Sequence, residues 1–283
     1  MTGGIYPLAY QWIFTGNKRY FISVFAGGSV DLKRFMSDVD FAFDHDFFEK
    51  VIYINLTSRP DRKFDILEAL ANIEIPHHKI VCFEAIAKTP GFLGCALSHA
   101  AVMKMIMENG WGPVLVVEDD NNFYHDDEHI RQANVFLSAL RERDWDVALL
   151  GGNYYYAYEH EPEIYSLSLK YAYCANAYIV NRGYAEKMMH VFEKSVHLIT
   201  ANGEPDESKS IDVIWHDLME KDNWFGLYPC IAYQAKGFSD IRGASMNYES
   251  LFNKPLSGLT FFTRDGKVKE AETETSAGAD VSQ

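Results

Sequence analysis

The sequence predicts an α/β fold, a mostly parallel sheet with helices on both faces, and three observations carry that prediction. Short apolar runs alternate with segments of helical periodicity between residues 51 and 193. One run, Val114-Leu115-Val116-Val117, leads straight into three adjacent carboxylates, Glu118-Asp119-Asp120. The chain of 283 residues, 48% hydrophobic, is long enough to cover such a sheet on both sides.

Taken in order, residues 1–48 form an aromatic-rich arm. Arg19-Tyr20-Phe21-Ile22-Ser23-Val24-Phe25 reads as a strand entering a turn at Ala26-Gly27-Gly28. Phe41, Phe43, Phe47 and Phe48 are too apolar for a disordered tail, so the arm is expected to pack on a core domain of residues 49–262. Val51-Ile52-Tyr53-Ile54-Asn55-Leu56 is a buried strand. Pro60 then opens a helix at a position where a missing N–H costs nothing. Phe64, Leu67 and Ala71 form its expected apolar stripe. Lys79-Ile80-Val81-Cys82-Phe83 is the next strand, and a helix from about Cys95 stops at Asn109-Gly110. The strand before the carboxylates is the third. Asp146-Val147-Ala148-Leu149-Leu150 is a fourth, ending in Gly151-Gly152; residues 175–180 are a fifth, backed by a helix over 183–193. Residues 263–283 lack apolar periodicity and read as a disordered acidic tail.

The composition excludes several classes. With 40 acidic against 26 basic residues, and a net charge of -14, nucleic acid is excluded as an expected partner. Cys82, Cys95, Cys174 and Cys230 show no Cys-x-x-Cys spacing, so free thiols in a reducing compartment are expected. Cys95 and His99 lie one helical turn apart, but two soft ligands without partners do not make a zinc site. No apolar stretch reaches the ~18 residues of a membrane span. The beginning of the sequence lacks a secretory signal pattern, and the expectation is a cytoplasmic protein, at most peripheral at a membrane.

Ligands of parallel sheets bind beyond the carboxyl ends of the strands, which directs attention to Asn55, Glu118-Asp119-Asp120 and Gly151-Gly152-Asn153. Three adjacent anions repel one another unless a cation or water intervenes, and Mg²⁺ or Mn²⁺ held by carboxylates and phosphate oxygens would resolve the repulsion. A polar cluster closing a buried strand would look the same. Arg59 and Arg62, in the first turn of the helix after the first strand, stand where a diphosphate would dock, or are solvated surface arginines. A receiver domain also has an acidic pocket after an apolar strand, but the aspartate it requires after 146–150 is Gly151 here.

The ordered set of motifs resembles glycosyltransferase family 25, which includes lipopolysaccharide-biosynthesis and collagen galactosyltransferases. The matching pieces are Tyr53-Ile54-Asn55-Leu56 with Arg59, Asp61 and Arg62, then Gly94-Cys95 with Ser98-His99, and Val117-Glu118-Asp119-Asp120. Ala177-Tyr178-Ile179-Val180, Tyr228-Pro229, Gln234 and Ser239-Asp240-Ile241 follow in order. The resemblance covers residues 51–241. It implies a GT-A-like (Rossmann-like) fold, a UDP-sugar donor, commonly UDP-galactose, an inverting transfer and a Mn²⁺ or Mg²⁺ ion. It also implies Asp120 as metal ligand, Asp119 near the donor ribose and Glu118 behind them. Asn55, Arg59, Arg62, Ser98, His99 and Gln234 are expected on the donor side.

Inversion needs a base for the acceptor hydroxyl. Asp212, at a helix start after a loop containing Gly, Pro and Ser, is the first candidate and Asp240 the second; a helix-end charge and a turn-forming aspartate are their structural alternatives. Tyr154 and Tyr155, with Tyr156, are a candidate platform for the acceptor, which would be a glycan, glycolipid or protein, or else ordinary packing. The alternative for the whole chain is a catalytically inactive sugar-nucleotide-binding protein of the same fold.

Overall fold

The structure is a computed structural model that describes residues 9–15, 18–24, 42–201, 206–239 and 244–269. It divides into two units, Met1–Phe41 and Ala42–Gln283. In the first, strands β1 (Ala9–Thr15) and β2 (Lys18–Val24) pair antiparallel as a hairpin. Phe41 lies outside the described residues, whereas Phe43, Phe47 and Phe48 are buried in the second unit.

The second unit begins with β3 (Lys50–Asn55), α1 (Pro60–Asn72), β4 (Ile80–Glu84), α2 (Gly91–Asn109), β5 (Val114–Glu118) and β6 (Asn121–Phe123). It continues through α3 (Asp127–Arg141), β7 (Val147–Glu161), β8 (Ser166–Val180), α4 (Ala185–Thr200) and the single turns α5 (Ile211–Ile214) and α6 (His216–Met219). Then come β9 (Trp224–Leu227), β10 (Ala232–Gln234), β11 (Gly237–Ser239), β12 (Ala244–Met246), the turn α7 (Glu249–Phe252) and β13 (Thr260–Phe261).

Seven strands form the main sheet, in the order β13-β7-β9-β8-β5-β3-β4. Every neighbouring pair is parallel except those made by β8, which runs against the other strands. The architecture is therefore the expected mixed α/β one, a mostly parallel sheet flanked by helices. Alternation along the strands sorts the core. Ile52, Ile54, Val114 and Val116 join one cluster with Val102, Met103 and Ile106 of α2 and Met188 and Phe192 of α4. Val51, Tyr53, Leu115 and Val117 are equally buried on the opposite side, where α1 packs on β3.

Four expectations need correction. The buried stripe of α1 is Ile66, Ala69, Leu70 and then Ile73, whereas Phe64 is 68% exposed. Both sets have helical spacing, and the set carrying Ile and Leu faces the sheet. Helix α2 starts at Gly91, directly after Pro90, four residues before the expected Cys95. The fourth strand does not end at Gly151-Gly152: β7 continues through them to Glu161, with irregular register against β8. A Cβ on Gly151 would lie 2.0 Å from the Ala232 carbonyl oxygen, so this glycine admits the close approach of β10 and does not mark a turn. Finally, the supposed tail from 263 is folded as far as Lys269: Phe262 bridges Val268, and Lys269 Nζ donates to the Tyr158 carbonyl at 2.6 Å.

Candidate active site

The sheet brings two strand ends together. β3 and β5 are parallel neighbours with Ile54 opposite Glu118, so Asn55 and the Glu118-Asp119-Asp120 triplet emerge side by side at the carboxyl edge. Asn55 Nδ2 donates to Asp119 Oδ2 at 2.8 Å and to the Arg59 carbonyl at 3.0 Å, tying the β5 end to the loop before α1. Arg62, in the first turn of α1, places Nη1 2.7 Å from Asp119 Oδ1 and 3.4 Å from Asp120 Oδ2. The Gln234 amide at the end of β10 reaches toward Asp120 Oδ1 at 3.5 Å, and the Ala235 N–H donates to the Asp120 carbonyl at 2.8 Å. Beside these groups opens a cleft of about 790 Å³, bordered by residues 85–91 and by Gly94, Cys95, Ser98 and His99. Its size is that of a small-molecule or cofactor site.

The three carboxylates have different environments. Glu118 is opposed by burial, yet the hydrogen bond from His99, supported by Cys95 and Arg62, brings it below the ordinary range. His99 Nε2 lies 3.2 Å from Glu118 Oε1 and Nδ1 2.8 Å from the Tyr178 hydroxyl. A carboxylate only accepts, so Nε2 carries the proton. Asp119 is raised by burial, with Arg62 and Asn55 opposing. Asp120 is pushed up to about 7, by burial first and then by the charge of Glu118, with Arg62 opposing and Asp119 adding. A carboxylate crowded by two others in an oxygen-rich corner is a donor set that suits a hard divalent cation, which would reverse that shift.

The remaining candidates divide. Arg59 turns to Asp61, 2.8 Å from Nη2 to Oδ2. Ser98 lines the cleft, but its hydroxyl donates to the Gly94 carbonyl at 2.7 Å and accepts from the Ile86 N–H at 2.8 Å, so it holds the 85–91 segment in place. His99 likewise positions Glu118. Tyr154 is corrected outright: it is 2% exposed, with its hydroxyl donating to the Leu227 carbonyl at 3.1 Å, and belongs to the core. Tyr155 is on the surface at 39% exposure, next to the similarly exposed Tyr156, where the register of β7 against β8 shifts. Asp240 lies outside the described residues.

Asp212, distant in sequence, arrives at the site. Its Oδ2 accepts the Cys174 N–H at 3.2 Å. Burial raises its pKa, the Cys174 N–H opposes, and Glu118 adds to the rise. The Cys174 thiol is itself pushed up by burial and then by the charges of Asp212, Glu118 and Asp120. Sequence reasoning missed the contacts of Cys174 and Tyr178 at the site and the third partner of Cys95 and His99. That partner is Glu118: Cys95 Sγ is 3.5 Å from its Oε1, and one donor atom from each of the three residues falls within 4.8 Å of the others. The Gly94-Cys95 and Ser98-His99 motif was the available signal. Its hydrogen-bonded partners are 19 and 79 residues further along the chain.

Residues 87–202 match the model of glycosyltransferase family 25 (LPS biosynthesis protein), a stretch that holds the 94–99 motif, the carboxylate triplet and Cys174 but neither Arg62 nor Asp212. Over that stretch the chain carries the pattern of a glycosyltransferase family. Among solved structures it is similar to a UTP-bound UGPase from Acinetobacter baumannii, with 13% identity and a TM-score of 0.35 over 60% of each chain. It thus spans about 60% of that protein's length. Another is the CTP:phosphocholine cytidylyltransferase of Streptococcus pneumoniae, with 12% identity and a TM-score of 0.33 over 69% of this chain and 75% of that one. Among the described residues, no helix is long and apolar enough to cross a membrane.

Proposed function

We propose that this chain is a GT-A-type glycosyltransferase that moves a sugar, galactose in the first instance, from a UDP-sugar to an acceptor hydroxyl with inversion. The observation that supports it most is the meeting of Arg62 with Asp119 and Asp120 at the cleft edge, with Asp212 brought from a third segment within electrostatic reach of Glu118. In this reading Asp120 would hold Mn²⁺ or Mg²⁺, with Asp119 beside it, and the ion when bound would neutralise charge developing on the departing diphosphate. Asn55 and Arg62 hold Asp119 in one orientation, and Arg62 adds a fixed positive charge next to the phosphate position. Glu118, fastened by His99, keeps the β5 end in register and bears no charge transfer itself. Asp212 takes the proton from the attacking hydroxyl, because burial makes its carboxylate a stronger base than an exposed one.

The experiment is donor hydrolysis and binding with UDP-galactose and Mn²⁺. Metal-dependent release of free galactose, with UDP affinity abolished in Asp120→Asn, is the expected result. Tight UDP binding without turnover on any acceptor would identify the inactive binding protein instead, and unchanged affinity in the variant would put the metal elsewhere.

A further inference from the structure

The β7–β8 ribbon carries a feature that the donor cleft does not use. Tyr155, Tyr171 and Tyr173 meet edge to face there, with centroids 5.5 Å apart for Tyr155–Tyr173, 6.2 Å for Tyr155–Tyr171 and 5.1 Å for Tyr171–Tyr173. Lys254, which follows α7, stands over the Tyr155 ring with Nζ 3.9 Å from its centroid. The next residue after Tyr173 is Cys174, whose N–H holds Asp212. The aromatic surface therefore abuts the carboxylate assigned as base.

We propose that this surface is the acceptor subsite, and that it takes a sugar ring carrying an anionic substituent, a carboxylate or a phosphate. The inference rests on the glycosyl-transfer reading above and adds the class of acceptor. Tyrosine faces offer an apolar bed for a sugar's C–H face, and the Tyr171 and Tyr173 hydroxyls, 2.6 Å apart and sharing one hydrogen bond, keep acceptor capacity for its polar rim. Asn153 supplies an independent sign of a ligand. It stands opposite Tyr173 in the antiparallel ladder, which puts both on one face; it is 6% exposed, and among the described residues its Oδ1 has no hydrogen-bond partner. A buried amide oxygen without a donor is costly, and a sugar hydroxyl would satisfy it.

The charge argument comes from Lys254. In a chain of net charge -14, Lys170, Lys187 and Lys194 are paired, with Glu220, Asp222 and Asp217 respectively. Lys254 is half-buried, and among the described residues no carboxylate pairs with it. Its nearby cross-contacts are the Tyr155 ring and the Tyr228 hydroxyl, which donates to its backbone carbonyl at 3.0 Å. A cation set on an aromatic bed beside the base is complementary to an anion on the incoming ring.

The test uses the full chain with UDP and Mn²⁺ present, titrated with p-nitrophenyl β-D-glucoside, p-nitrophenyl β-D-glucuronide and the 6-phosphate of the glucoside. The wild type is expected to bind at least one anionic probe about tenfold more tightly than the glucoside, the scale of one charge-assisted hydrogen bond. Whichever anion gains more identifies the substituent. Lys254→Gln should erase the preference and Lys254→Arg retain it, while Tyr155→Ala should weaken all three probes. Equal binding of charged and neutral probes, no binding of any, or a preference that survives Lys254→Gln overturns the proposal. UDP affinity, read in the same samples, reports on the donor side separately. Its absence would count against the glycosyltransferase reading, while a probe preference lost in Lys254→Gln would still stand.

Discussion

At the scale of single residues, the assignments separate chemistry from binding. A base acts only as the new bond forms, so Asp212→Asn should lower kcat by about 10²–10⁴ and leave UDP affinity nearly unchanged. The pH profile gives a second reading of the same residue. Its carboxylate must be ionised to act, and burial raises its pKa, so kcat should climb with pH along a limb lying above the ordinary carboxylate range. That limb should vanish in the residual rate of the variant; a wild-type rate flat to pH 4 would remove Asp212 from the role. The acid triplet was legible in the sequence because charges directly after four apolar β-formers can only emerge at a strand end. Arg62 was legible for a similar local reason, as a first-turn residue after a strand. The hydrogen bonds of His99 to Tyr178 and of Asp212 to Cys174 were not, because each spans tens of residues and depends on the reversed strand β8. Tyr154 was misplaced because the strand was read as ending at Gly151-Gly152, whereas β7 runs on and turns that residue into the core.

Among elements, the helix α2 and the segment before it form one wall of the cleft, and Gly94 sets their spacing. A Cβ there would lie 2.5 Å from the Ile86 carbonyl oxygen and 3.1 Å from the Lys88 nitrogen. Gly94→Ala must displace backbone, so it should destabilise by about 1–3 kcal/mol and weaken UDP binding through the moved 85–91 segment. Urea melts and a UDP titration on the variant check both, and a neutral result would mean the segment yields freely. The turn α6 offers a second test. His216 is buried against Tyr171, with its Nε2 3.0 Å from the Ala172 carbonyl oxygen, so the ring donates from Nε2. Burial lowers its pKa to about 4, with the Ala172 contact opposing. The unfolded chain therefore takes up the proton first. The native state loses stability as pH falls from about 6.5 toward 4, by an amount approaching ~3 kcal/mol for this group. His216→Gln keeps a donor for Ala172 and has no such proton, so its melts at pH 7 and 4.5 should differ less than those of the wild type. Identical losses in both proteins would show that His216 is not the sensor. Strand and helix existence was readable from periodicity, and α2's stop from Asn109-Gly110, where Gly110 is left-handed at φ 65°. The length of β7 and β8 was not, since Gly151-Gly152 mark a crowded crossing in a sequence that reads as a turn.

The whole molecule turns on where its folded unit begins. The sequence placed a boundary at 48, on the reasoning that an aromatic arm packs on a separate core. The structure puts residues from Ala42 onward inside the second unit. Phe43 stacks on Phe48 at 5.8 Å, and Phe47 lies 5.7 Å from Trp145 and 5.0 Å beneath the Arg141 guanidinium. The polar groups between them are equally fixed. Arg141 pairs with Asp44 at 2.6 Å, while Asn134 donates to the Ala42 carbonyl at 2.9 Å and accepts the Asp44 N–H at 2.8 Å. Seven residues thus close the side of the molecule on which α3 presents Asn134 and Arg141. Removing one buried Phe costs about 3–5 kcal/mol, comparable with much of the total stability of an ordinary domain. A chain begun at Ala42 should therefore melt as cooperatively as the full sequence, with the temperature of the main transition kept. One begun at Glu49 loses Phe43, Phe47 and Phe48 together, leaves Asn134 and Arg141 without their partners, and should not fold cooperatively at all. Phe48→Ala in the full chain gives an intermediate case, a lowered but still cooperative transition. Equal melting temperatures for the Ala42 and Glu49 chains would return the boundary to 48 and reduce the phenylalanine cluster to decoration on an independent core.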